Sequence, residues 1–127
     1  MSHIPPLSFK VATTLSAYRG VILSTTTAQT VIYPGAALDF PVGITLDTVK
    51  DTTSSIEVAG PGNIARLFFN DSCASGKLVA LDTSGRGIPF VDATAGACFV
   101  GSLVSTSVAA TGTIADVLIA PGFKAIP

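Results

Sequence analysis

The chain has 127 residues, of which 12% are charged, and a formal net charge of −1. That length supports one domain with a real core and is too short for two independent ones. The seven basic residues (Lys10, Arg19, Lys50, Arg66, Lys77, Arg86 and Lys124) are scattered singly, which excludes the basic stripe that captures nucleic acid.

Charge stands at about half the usual share, and Thr, Ser, Ala and Gly fill the gap. Two kinds of surface satisfy that composition. One is a Ser/Thr-covered β domain; the other is a surface partly hidden against a partner or sister subunits.

Residues 1–10 stand apart as an extended N-terminal arm. Pro5-Pro6 imposes extended backbone, and Ile4, Leu7 and Phe9 put apolar side chains on it. An arm this short has no core of its own and either packs back onto the domain or grips something else. The start shows neither a basic n-region nor an apolar h-region, so the expectation is a chain made and kept in a cytosol.

From Lys10 onward almost nothing has helical period. β-branched runs divided by Gly, Pro, Asp, Ser or Asn predict strands over 11–15, 20–24, 30–33, 42–46, 54–58 and 65–69. Further strands are predicted over 77–81, 87–91, 99–104 and 114–119. Pro34-Gly35, Pro61-Gly62 and Pro121-Gly122 read as turns or strand ends, and residues 82–87 as a hairpin loop. Helix is expected at most as short turns near 45–50 and 102–110, each just after a Val-Gly pair.

The strands follow one design twice. Moved forward by 58 positions, Val21, Leu23 and Thr25 land on Val79, Leu81 and Thr83, and Val42-Gly43 lands on Val100-Gly101. After a two-residue slip, Pro61-Gly62 lands on Pro121-Gly122, closing the matching segments that begin at Ile56 and Val117. The expected fold is therefore all-β: a compact barrel-like or tulip-like domain over residues 11–127, built from two similar halves at about 19–62 and 75–122.

The uncharged stretch from Ala93 to Ala115 has the length of a membrane span, but Gly96, Gly101, Gly112 and many Ser and Thr break it into strands and a loop. Chemistry is sparse. His3 is the one histidine and sits in the arm, so no triad forms around it. One His and two distant Cys lack the ligands for a structural zinc site, and no glycine-rich phosphate loop is present. Cys73 and Cys98 are expected to be free and buried.

Asp82 needs a closer look, because Leu81-Asp82-Thr83-Ser84-Gly85 resembles the signature of aspartic proteases. Those enzymes place Gly directly after Asp and Thr or Ser, so that two carboxylates meet and share a proton. Here Ser84 intervenes, and the repeat has Ser24 where a second Asp belongs. The two readings are a hairpin whose Asp caps its own backbone and a dimeric, retropepsin-like protease using Asp82.

The second half carries a wider resemblance. The run from Ser75 to Gly85 is followed by Ile88-Pro89-Phe90-Val91, then by Phe99-Val100-Gly101 and by Val117 to Gly122. This pattern resembles the capsid cement, or head-decoration, proteins of tailed bacteriophages, although the tandem halves depart from the lambda-like members of that family. The resemblance implies a β-rich homotrimer on the outside of an expanded capsid, at threefold or quasi-threefold positions, bridging major capsid subunits. It assigns shell binding to the arm, through Ile4, Pro5, Pro6, Leu7 and Phe9. It implies no enzymatic activity, cofactor, metal, nucleic acid, membrane or small-molecule substrate.

Overall fold

The computed structural model of the chain describes residues 6–11, 14–24, 26–35, 40–48, 55–90, 97–105 and 112–123. Among these the fold is all-β, with ten strands. They are β1 (Leu7–Val11), β2 (Gly20–Leu23), β3 (Thr30–Ile32), β4 (Pro41–Thr45), β5 (Ser55–Ala59), β6 (Ile64–Phe68), β7 (Leu78–Leu81), β8 (Gly87–Pro89), β9 (Cys98–Leu103) and β10 (Ile114–Phe123).

The first five close into a barrel in the order β1-β3-β2-β4-β5, and the last five form a sheet in the order β6-β10-β9-β7-β8. Under the duplication, β1 corresponds to β6 and each following strand to the one five places later. Both units then have one strand order. The antiparallel pairs β2–β3, β2–β4, β4–β5 and β1–β5 recur as β7–β8, β7–β9, β9–β10 and β6–β10. Even the parallel β1–β3 closure of the barrel has a counterpart, the single parallel bridge Phe69 to Gly87.

Register carries the same message as order. Val21 lies opposite Gly43, and 58 positions on Val79 lies opposite Gly101. The repeated Val-Gly pair has a steric cause. A Cβ on Gly43 would collide with the Ala59 carbonyl oxygen, and one on Gly101 with the Leu118 carbonyl oxygen. Only glycine lets the neighbouring backbone come that close.

Two clusters make the core. Val11, Leu15, Val21, Val31, Ile56 and Val58 fill the barrel, with Phe9, Tyr33 and Val42 packed against them. The larger cluster is built mainly from the second sheet (Leu67, Phe69, Val79, Val100, Leu103, Val117 and Ile119 among others) and takes in Ile44 and Ala59 from the barrel. These two residues join the units into one body. Full burial of each such side chain contributes roughly 1.5–3 kcal/mol for the larger aliphatics.

Most predicted strands agree with the structure within a residue or two, and four regions differ. The strand expected at 11–15 lies earlier, as β1, because Phe9 and Val11 face the barrel core while Leu7 to Lys10 pair with Val58 to Ser55. Leu7 to Lys10, grouped with the arm on sequence, are thus a stave of the barrel. Pro121-Gly122 does not stop β10. The register slips by one residue between Ile119 and Gly122, and the strand runs on to Phe123. A bulge tolerates proline there, since its missing N–H costs no regular ladder bond. The helical turns expected at 45–50 and 102–110 are strand at Thr45, Ser102 and Leu103, and their remaining length lies partly outside the described residues.

Candidate interaction surface

Of the five arm residues assigned to shell binding, Ile4 and Pro5 lie outside the described residues. Pro6 is half-buried, just ahead of β1. Leu7 is 51% exposed, although it pairs with buried Val58, and its side chain lies beside Gly60. Phe9 turns onto the barrel core. The structure therefore separates Leu7, which is available to a partner, from Phe9, which is already engaged. His3 lies outside the described residues as well.

A second apolar feature was not singled out on sequence. Ile64 on β6 pairs with Leu118 on β10, Leu118 with Ser102 on β9, and Ser102 with Leu78 on β7. Ile64, Leu118 and Leu78 are all exposed, Ile64 by 58%. One row of the sheet thus carries three large apolar side chains into solvent. The neighbouring row sets exposed Arg66 opposite exposed Asp116, giving this face one charge of each sign. The alternation of β6 and β10 held the signal: every second residue points inward, so the apolar Ile64 and Leu118 were bound to face out.

The row ends at a cavity of about 500 Å³ lined by Ser72, Cys73, Ala74, Lys77, Leu78, Pro89 and Phe90. Phe90 is held in place by an edge-to-face contact with Phe99, the ring centroids lying 5.3 Å apart. Cys73 and Cys98 are both buried, and neither forms a disulfide. Burial pushes the Cys73 thiol above its ordinary range, so it stays protonated and behaves as a small apolar wall. Among the described residues no group of His, Cys, Asp and Glu is placed to hold a metal ion.

Asp82 is fully occupied within its own hairpin. One carboxylate oxygen accepts from the backbone N–H groups of Ser84 and Arg86, each at 2.9 Å. The other accepts from Arg86 Nε, also at 2.9 Å. The backbone closes the same loop, with Asp82 N–H donating to the Arg86 carbonyl and Gly85 N–H to the Asp82 carbonyl. This is a self-capping turn. Nothing in the arrangement supports the dimeric protease reading.

The β7–β8 hairpin closed by Asp82 has a task of its own, which is to dock on the barrel. Gly20 N–H donates to the Gly85 carbonyl at 2.7 Å, and Arg19 Nη1 donates to the Ser84 carbonyl at 3.1 Å. The Arg19 guanidinium also lies 4.9 Å over the Phe68 ring. Leu81 fills the space a Gly20 side chain would need, and Gly85 sits against Gly20, Tyr33 and Arg19. Sequence reading gave Arg19 no role. The signal for Arg19 lay at one of the positions where the copies differ: Arg19-Gly20 in the first against Lys77-Leu78 in the second.

No family model matches this sequence, and no curated protein matches it either. A solved structure does. The chain is similar to the N base of the head fiber gp8.5 of bacteriophage phi29, with a TM-score of 0.67 at 14% identity. The similarity covers 91% of this chain and 92% of that one. At that identity the comparison shows a shared fold, and it extends over both β units together.

Proposed function

We propose that this protein is a structural component of a bacteriophage virion. The observation that carries the reading is the fold shared with a phage head-fiber base across nine-tenths of both chains. The low charge and the exposed apolar row agree with a role in assembly.

In its finer form, the protein binds the outer surface of an expanded capsid as a homotrimer and bridges major capsid subunits. Residues Ile4, Pro5, Pro6 and Leu7 supply the arm contact, and exposed Ile64 and Leu118 supply an apolar face. Phe9 contributes indirectly, by anchoring the arm to the barrel. Burying one arm side chain yields roughly 1.5–3 kcal/mol, while ordering a residue costs roughly 1–2 kcal/mol. A single arm is a marginal grip, and three arms on one trimer gain about 10²–10⁴ in avidity. Weak single contacts and strong joint ones suit a clamp on a finished lattice.

The test is co-sedimentation of the purified protein with expanded empty capsids, together with its mass by light scattering. Saturable binding that survives high salt is expected, because the contacts are apolar and backbone-made. A protein that ignores capsids of both expanded and unexpanded form overturns the proposal.

A further inference from the structure

The two halves share strand order and register but differ in what covers one position. In the barrel, the surface formed by Arg19, Gly20 and Tyr33 is covered by the β7–β8 hairpin, with Leu81 and Gly85 against it. Arg19 and Gly20 correspond to Lys77 and Leu78 through the 58-residue shift. Tyr33 corresponds by position to Pro89: Leu23 lies opposite Val31 and its counterpart Leu81 opposite Gly87, so Tyr33, two residues past Val31, matches Pro89, two residues past Gly87. Leu15 likewise corresponds to Cys73, and both are buried. The counterpart of the covered surface is therefore lined by Cys73, Lys77, Leu78 and Pro89, and it is the open cavity of about 500 Å³.

The hairpins show the complementary imbalance. Leu81, at the root of the β7–β8 hairpin, is only 9% exposed because it is seated against Gly20. Its counterpart Leu23, at the root of the β2–β3 hairpin, is 47% exposed. The described tip beyond it, from Thr26 to Gln29, is exposed throughout. The molecule thus has one hairpin seated on one surface, and one equivalent hairpin and one equivalent surface both left open.

We propose that the Leu23 hairpin of one copy docks into the Cys73–Leu78–Pro89–Phe90 cavity of a second copy, repeating between molecules the contact made between the halves. Leu78 carries a side chain where Gly20 has none, so the incoming hairpin rests on Leu78 and Phe90 and sits farther out than Leu81 does. The contact is heterologous, because hairpin and cavity are different surfaces, so it closes a ring or extends a chain. This specifies the self-association in the function proposed above and rests on that part alone, not on the capsid.

The experiment is sedimentation velocity on the full chain over a wide concentration range, with Leu23→Asp, Leu78→Asp and an equimolar mixture of the two. Circular dichroism verifies that each variant is folded, and Phe90→Ser replaces Leu78→Asp if the latter is not. The parent should associate, and each variant alone should do so at least about tenfold more weakly. The mixture should give a one-to-one dimer and nothing larger, since each pair retains one intact hairpin facing one intact cavity. A parent that stays monomeric, variants that associate as the parent does, or a mixture that stays monomeric overturns the proposal. So does loss of capsid binding in the Leu78→Asp variant with association unchanged, which assigns the cavity to the shell instead. Association as expected with no capsid binding leaves the docking in place and removes the virion reading.

Discussion

Tyr18 and Gly76 stand 58 positions apart and share a left-handed backbone, with φ of 63° and 79°. Each begins the same pair of contacts: Tyr18 N–H donates to the Thr45 carbonyl, and Gly76 N–H to the Leu103 carbonyl. The second copy meets this geometry with the residue that adopts it freely, and the first holds a tyrosine there at a cost.

That relationship makes Gly76 a clean test of backbone cost. A Cβ at Gly76 meets nothing within 4 Å, so Gly76→Ala adds only the strain of an L residue in the left-handed region. Urea denaturation should show a loss of about 1–2 kcal/mol with the m-value unchanged.

At the Val-Gly pairs the cost is steric instead. Gly43→Ala and Gly101→Ala each drive a Cβ into a carbonyl oxygen of the adjoining strand. Backbone must move in both, so each should lose roughly 1–3 kcal/mol or more. Equal behaviour of the two variants in thermal denaturation is the expected mark of the duplicated design.

Asp82→Ala removes the acceptor for three donors in one loop. The expected loss is about 1–3 kcal/mol, allowing for the partial exposure of the Arg86 pair. Differential scanning calorimetry measures it. A catalytic carboxylate would instead leave stability nearly unchanged and abolish cleavage.

Burial raises the Cys73 thiol in the folded chain above its unfolded value of 9.0. The folded state therefore keeps its proton where the unfolded state releases it, and stability falls as pH rises past about 9. Cys73→Ala should flatten that slope relative to the parent when unfolding is followed between neutral and alkaline pH.

The arm test must respect the barrel. Removing residues 1–5 stops short of β1, whereas removing 1–10 takes out most of a stave paired with β5. The shorter deletion should leave the melting temperature within a few degrees and weaken capsid co-sedimentation at least about tenfold. Full capsid binding by that variant removes the arm from the proposed function.

The sequence by itself determined the strands and their duplication. β-branched runs between Gly, Pro and Asp turns set most strands locally, and the Val-Gly pairs at 42–43 and 100–101 marked the duplication. The hairpin at Asp82 was legible for the same reason, since its capping bonds span at most four residues. What only the tertiary structure decided was which of two equivalent surfaces is covered. β1 joining β5 across almost fifty residues, the β7–β8 hairpin seated on Gly20, and the exposed row from Ile64 to Leu78 all come from pairings between distant segments. Period-2 alternation says which side chains share a face, and only the packing of one sheet against another says which face stays wet.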